Sequence, residues 1–340
     1  MKIKTKDLLE ALEIVKPGLA TKEQIAQTTA FAFMGDRIVT YNDEISISHP
    51  VEGLEIKGAI QAEELYSLLK KITKDEIDIT LSANEIILKS GRIETGFTLH
   101  QEIKLPLDEI DVIGTWQKVP SGFLKGLKFV IPCCSKDMSN PVLTCVHINE
   151  AGFIEASDGF RLVQYALKDA EMPTFLIPAM SAIEVLKLEP SELSKTNSWV
   201  HFRSEFGTII SCRIFTDKFP NTTPHFKVKG EKITFPTSLP EVLNRAVVFS
   251  KRDHFIDENV DIDIIEDKIK VSSKSDSGWF KEILNIKYDN TPLAFSVAPQ
   301  LLLGILSETS EGTIGEKSLK FQNEDWQYIS MLKAPKIKIK

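Results

Sequence analysis

DLLEALEIV, residues 7–15, returns as GFLKGLKFV, residues 122–130. Leu8, Leu9, Leu12 and Val15 of the first stretch reappear as Phe123, Leu124, Leu127 and Val130, and more loosely as Val242, Leu243, Ala246 and Phe249 in EVLNRAVVF. Apolar residues at i, i+4 and i+7, as in Leu8, Leu12 and Val15, describe an amphipathic helix with one buried stripe. A second marker is a strand-like residue followed nine places later by Leu: Ile60 to Leu69, Ile177 to Leu186 and Val297 to Leu306. The first marker recurs at spacings of 115 and 119, the second at 117 and 120. Two independent markers keep one period. A period this long is a whole folded unit and not a solenoid turn, so the chain reads as three similar domains of about 113 residues.

Within each third, alternating or β-branched runs follow the first helix. RIVTY, EISIS, VHINE, HFRSE, VDIDII and DKIKVSS are bounded by Asn, Asp and Gly, which suits antiparallel strands joined by short turns. A second helix opens behind a strand, with Pro178 or Pro299 at its first positions, where a missing N–H does no harm. More strands close each third. The expected fold class is therefore α+β, each domain having two helices packed on antiparallel sheets. The expected bounds are residues 1–115, 118–226 and 231–340, with breaks near Gly114 to Val119 and in the charged stretch Lys227 to Lys232.

Composition limits the function classes. Hydrophobic residues at 42% and charged residues at 26% match a globular protein able to build several cores. No run approaches a membrane span, and acids stand where a signal peptide needs its apolar stretch, so a cytoplasmic protein without membrane partners is expected. Cys133, Cys134, Cys145 and Cys212 have no metal-type spacing and suggest buried thiols. The six histidines form no sequence cluster, and no phosphate-loop, zinc-helix or nucleophile-elbow motif occurs, so neither an enzyme, a cofactor nor a metal is expected. A net charge of -7 leaves room only for a local basic surface. Candidates for one are Lys16, Lys70, Lys71 and Lys74 in the first third, Lys125 and Lys128 in the middle third, and Arg245 and Arg252 in the last. Glu10 and Glu13 share the polar face of the first helix, so that lining is patchy.

Residues 140–167, NPVLTCVHINEAGFIEASDGFRLVQYAL, resemble the signature of the bacterial β sliding clamp, the processivity subunit of DNA polymerase III. That family has a Pro-aliphatic-Leu-Thr strand, a spacer, and Ala-Thr-Asp-Gly-His-Arg-Leu. Here these stand as Pro141, Val142, Leu143, Thr144, and then Ala156, Ser157, Asp158, Gly159, Phe160, Arg161, Leu162. SGR at 90–92, KFP at 218–220 followed by Pro224, NRAVVFS at 244–250 and the strand QYISMLK extend the resemblance from Met1 to about Lys333.

The resemblance implies a ring of six related domains made by a head-to-tail homodimer, with helices facing a central hole that encloses double-stranded DNA without reading its sequence. Its partners would be a DNA polymerase and a clamp loader. It implies a partner-peptide groove at Leu143, Ser157, Gly159, Phe160, Arg161, Leu162, Pro224, Ile329, Met331 and Leu332, the last strand included. Phe97, after SGR, is the candidate dimer contact of the first domain, and the segment Phe255 to Val260 that of the third. Phe160 replaces the family's usual His, and KAPKIKIK replaces its short tail, which would extend a strand or partly cover the groove. A clamp-like adaptor or decoy that keeps the groove without encircling DNA is the alternative.

Overall fold

A computed structural model describes residues 1–334 except 83, 111, 169 and 170. Its elements keep one order three times: a short strand, a helix, four strands, a helix, three strands. The first third holds β1 (Lys2–Lys4), α1 (Thr5–Val15), β2 (Ala30–Gly35), β3 (Arg37–Tyr41), β4 (Ile45–Pro50), β5 (Ile56–Gln61), α2 (Ala62–Leu69), β6 (Glu76–Ser82), β7 (Glu85–Ser90) and β8 (Ile93–Thr98). The middle third holds β9 (Gln117–Lys118), α3 (Phe123–Val130), β10 (Cys145–Ile148), β11 (Phe153–Ser157), β12 (Arg161–Ala166), β13 (Phe175–Pro178), α4 (Ala179–Leu188), β14 (Glu192–Lys195), β15 (Trp199–Arg203) and β16 (Ile209–Arg213). The last holds β17 (Glu231–Thr234), α5 (Leu239–Val247), β18 (Val260–Ile265), β19 (Lys268–Ser275), β20 (Gly278–Asn285), β21 (Leu293–Val297), α6 (Pro299–Leu306), β22 (Glu311–Ile314), β23 (Ser318–Gln322) and β24 (Trp326–Met331). The fold class is α+β with antiparallel sheets.

The expected helical stripes are the buried ones. α1 buries Leu8, Leu12 and Val15, α3 buries Phe123, Leu127 and Val130, and α5 buries Val242, Leu243 and Ala246. A 3-10 turn follows α1 at Lys16–Gly18 and α3 at Ile131–Cys133, each with a proline early in the turn. One expected strand is different. Pro141–Thr144 forms a 3-10 turn, because the Thr144 hydroxyl donates to the Pro141 carbonyl at 2.7 Å and the strand starts only at Cys145.

Contacts divide the chain differently from the repeat, into two compact units. Unit 1 is Met1–Leu124 with Phe175–Thr216; unit 2 is Lys125–Thr174 with the residues from Asp217 onward. The cause is strand pairing across the thirds. In unit 1, β4 pairs with β16, joining first-third to middle-third strands in the order β5-β2-β3-β4-β16-β15-β14-β9. In unit 2, β12 pairs with β24 within the run β10-β11-β12-β24-β23-β22-β17. Each unit also has a four-stranded sheet, β1-β6-β7-β8 in unit 1 and β20-β19-β18-β21 in unit 2.

Strand alternation separates a helix-bearing face from an open face on each large sheet. In unit 1 the Thr40 hydroxyl donates to the Val15 carbonyl, so Thr40 faces α1 while its neighbours Val39 and Tyr41 pack on the other side with Leu105, Leu107, Ile110 and Trp199. In unit 2 Phe129 of α3 meets Tyr165 at 6.2 Å and Trp326 at 4.9 Å. Leu162 and Ile329, one step out of phase with that face, therefore lie on the open one.

Candidate functional site

On the open face of unit 2, Leu162 and Ile329 are directly paired across β12 and β24. They form one apolar cluster with Phe226, and Val228 packs against it. Pro224 is exposed on the 3-10 turn Thr223–Phe226 that carries Phe226, and the Lys320 ammonium holds this wall by donating to the Phe226 carbonyl at 3.0 Å. Phe226 and Val228 were not among the expected site residues. HFKVK alternates apolar and polar residues, but its charges read as a boundary, and only the fold lays the segment beside Leu162.

The turn before β12 is closed by its own side chains. Asp158 Oδ1 accepts from the backbone N–H of Phe160 at 3.0 Å and of Arg161 at 2.9 Å, and the Ser157 hydroxyl accepts from the Gly159 N–H at 3.1 Å. Gly159 takes a φ of 86°, a left-handed conformation that glycine adopts without a Cβ penalty. Phe160 sits edge-on to Phe255 at 6.3 Å, and its carbonyl accepts from the Met331 N–H at 2.8 Å. The turn is thereby tied to the end of the last strand. Arg161 leaves this cluster. Its side chain points to the helix-bearing face, where Nε donates to Asp158 Oδ2 at 2.9 Å and an η nitrogen donates to the Pro132 carbonyl. It braces the turn from behind. Leu143 is half-buried on the 3-10 turn, its carbonyl accepting from Ser135 at 2.8 Å, and Leu332 is buried with its N–H donating to Lys317.

A polar network lies beside the apolar cluster. Glu155 is only 3% exposed, and its Oε1 accepts from Gln164 Nε2 at 2.9 Å and the Thr222 hydroxyl at 2.6 Å. Its Oε2 takes His147 Nδ1 and Asn149 Nδ2, both at 3.0 Å. Burial pushes the Glu155 pKa up, but the hydrogen bonds from His147, Thr222 and Gln164 outweigh it and hold the carboxyl below its ordinary value. Phe219 stacks on His147 at 4.8 Å. Phe219 and Thr222 precede Pro224 and Phe226, so the network pins this segment to the sheet.

The expected basic residues differ in freedom. Lys16 and Lys70 lie over the Tyr66 ring at 4.3 and 5.3 Å, and Lys71 and Lys74 are exposed nearby in sequence. Lys128 is exposed, and Lys125 lies 3.6 Å from Asp325, which Lys168 also contacts at 2.9 Å. Arg245 is a weaker candidate than its helix position implied, since its guanidinium forks onto Glu282 at 2.7 and 2.9 Å. Arg252 is turned onto the Lys251 and Lys274 carbonyls.

Among the strands that end a sheet are β8 in unit 1 and β20 in unit 2. β8, with Phe97 half-buried, ends the small sheet of unit 1, and β20 ends that of unit 2 with Trp279 and Ile283 exposed at 70% and 50%. The segment Phe255 to Val260 does not supply an edge: Val260 begins β18, which β19 and β21 flank on both sides. Of the tail, Lys333 pairs with Ser296 and its ammonium donates to the Ile256 carbonyl; residues 335–340 lie outside the described residues. All four cysteines are buried, and burial pushes the Cys133 thiol up to about 12, which keeps it protonated near neutral pH. Among the described residues no His, Cys, Asp and Glu group could hold a metal, and no helix is long and apolar enough to cross a membrane.

The whole chain superimposes on solved bacterial proteins. The DNA polymerase III subunit beta from Pseudomonas aeruginosa matches with a TM-score of 0.85 over 98% of this chain and 99% of that one, at 15% identity. The chain has the fold of the bacterial β sliding clamps. The beta chain from Streptococcus pneumoniae gives a TM-score of 0.85 over 99% of both chains at 18% identity, and the sliding clamp from Bacillus subtilis gives 0.82 over 100% and 99% at 19%. No family model and no curated protein matches the sequence. The clamp fold is thus shared at 15–19% sequence identity.

Proposed function

We propose that this protein is a DNA sliding clamp: a head-to-tail homodimer that encircles duplex DNA and tethers a DNA polymerase through the groove at Leu162, Ile329, Phe226 and Val228. The observation that carries this reading is the likeness to clamp structures over essentially the full length of both chains. Three domains, at 1–115, 118–226 and 231–340, follow from the threefold element order, and six would close the ring. β8 of one protomer, with Phe97, pairs with β20 of its partner, where Trp279 and Ile283 supply exposed apolar area; such closure removes open strand edges that invite aggregation. Lys16, Lys70, Lys71, Lys74, Lys125 and Lys128 make loose phosphate contacts that permit sliding. Enclosure then replaces affinity, because a weakly held polymerase is kept at high effective concentration beside its template.

The groove accepts a short linear peptide with aliphatic or aromatic anchors, seated on Leu162 and Ile329 and walled by Pro224 and Phe226. Ser157, Gly159, Phe160 and Met331 shape its end, while Arg161, Leu143 and Leu332 hold that shape from beneath. The decisive experiment loads the protein with a clamp loader onto nicked circular DNA and then linearises the DNA. Release from the linear form alone is expected. Equal loss from both forms as salt rises would instead mark an ordinary phosphate binder or an adaptor that does not encircle DNA.

A further inference from the structure

Two cavities occupy matching places in the repeat and carry opposite charge. One, of about 400 Å³, lies in unit 2 beside Lys125, Lys128 and Phe129 of α3. The other, of about 780 Å³, lies in unit 1 beside Glu10, Glu13 and Ile14 of α1. Glu10, Glu13 and Ile14 stand 115 positions before Lys125, Lys128 and Phe129, and the 3-10 turns that follow, Lys16–Gly18 and Ile131–Cys133, keep the same offset. At these exposed positions the two helices differ in sign while their buried stripes agree.

Pairing enlarges the difference. Asp7, Glu10, Glu13, Glu52, Glu184 and Glu189 line the unit 1 cavity with a single lysine, Lys187, which Glu184 engages at 2.7 Å. Glu13 accepts a hydrogen bond from the Tyr66 hydroxyl at 3.1 Å. Among the described residues no cation pairs with Asp7, Glu10, Glu13, Glu52 or Glu189. Carboxylates within one screening length of each other, about 8 Å at physiological salt, add their potentials. A phosphate brought to this cleft meets repulsion, whereas α3 of unit 2 offers it Lys128 and part of Lys125.

We infer that duplex DNA is held off α1 at Glu10 and Glu13 and bears on the α3 face of unit 2, on Lys16 just past the end of α1 and on the lysines that end α2, so that each protomer touches the duplex unevenly. This rests on the clamp reading. The two acidic positions of α1 would then set how loosely the duplex is gripped: converting them to the lysines of their α3 counterparts adds phosphate contacts without altering any buried residue.

The test measures binding of a 30-base-pair duplex by fluorescence anisotropy across a salt series, for the full-length protein and for Glu10→Lys/Glu13→Lys. The double variant is expected to bind more tightly, with the slope of log affinity against log salt steeper by up to about 2 per protomer, or about 4 for the ring, because each new phosphate contact adds about 0.9. Lys128→Glu should flatten the slope by about 1 per protomer. Glu10→Gln/Glu13→Gln, which adds no cation, should tighten binding without the full steepening. Should the lysine variant fold poorly, this milder pair still decides the matter: unchanged affinity in it, or an unchanged slope in a folded lysine variant, overturns the inference. Wild-type protein that is not retained on circular DNA overturns the clamp reading and this inference together, while retention with an unchanged slope overturns this inference alone.

Discussion

The open faces of the two large sheets differ at matching strand pairs. Where β12 and β24 place Leu162 against Ile329 in unit 2, β4 and β16 place Ser46 against Ser211 and Ser48 against Ile209 in unit 1. The remaining apolar area of unit 1 is covered by the chain's own Leu105, Leu107 and Ile110 over Trp199 and Tyr41. In unit 2 the corresponding loop instead contributes Phe226 to the apolar cluster and is held at Thr222. The same pairing thus carries a largely polar set in one unit and, in the other, the apolar pair proposed here as the peptide-docking surface.

That contrast is most exposed to a change at its centre. Leu162→Ala should weaken binding of a labelled polymerase peptide about 30-fold or more, the scale of an interface hot spot, while Ile209→Ala in unit 1 leaves it unchanged. Equal loss in both variants would show that the two faces act alike. Circular dichroism and light scattering would separate this from unfolding or loss of the dimer.

Acid should next distinguish the units. His201 in unit 1 is fully buried with its Nδ1 against the Ser211 hydroxyl at 2.8 Å, and burial lowers its pKa to about 4. Because the unfolded chain binds this proton near pH 6.5, stability falls as pH drops from about 6.5 to about 4, by an amount of order 3 kcal/mol. Glu155 in unit 2 has a depressed pKa, so its contribution is intact above the ordinary carboxyl range and is lost only as pH falls through the lowered value. Urea melts across pH should lose their slope between pH 6.5 and 4 in a folded His201→Gln variant, and below that window in Glu155→Gln.

A smaller effect tests the pinned wall. Thr222→Val removes the hydroxyl that Glu155 accepts and should cost about 1 kcal/mol in peptide affinity, roughly fivefold, with Thr222→Ser restoring it. Hydrogen exchange in residues 217–228 should speed up in the valine variant only. The smallest expected change is at Arg245. Its fork onto Glu282 leaves little free charge, so Arg245→Ala should barely alter the salt slope of DNA binding, in contrast to Lys128→Glu.

Much of this was legible because it is periodic. The buried stripe of α1, α3 and α5 and the alternation of β3 and β18 follow from 3.6 and 2-residue periods that any buried face must obey. The Ser157 to Leu162 turn was legible as a motif. The 3-10 turn at Pro141–Thr144 was not, since Pro-Val-Leu-Thr has the composition of a strand, whereas the backbone N–H groups of Leu143 and Cys145 donate to Asn140 and Val142 and the Thr144 hydroxyl adds its own bond. That β18, which Val260 begins, lies inside its sheet while β20 ends it was not legible, because sequence shows which residues are apolar and not which strand has a neighbour on both sides.

The sequence by itself determined the threefold order of elements, the α+β class and the buried stripes of the first helices, because burial along a helix or strand is a local, periodic property. Only the tertiary structure decided that Phe226 and Val228 pack on Leu162 and Ile329, that Arg161 turns to the opposite face, that Arg245 is neutralised by Glu282, and that Glu155 pins a loop 67 positions away. Those outcomes depend on pairings between residues far apart in the chain, and a pairing is a property of two positions that neither one carries alone.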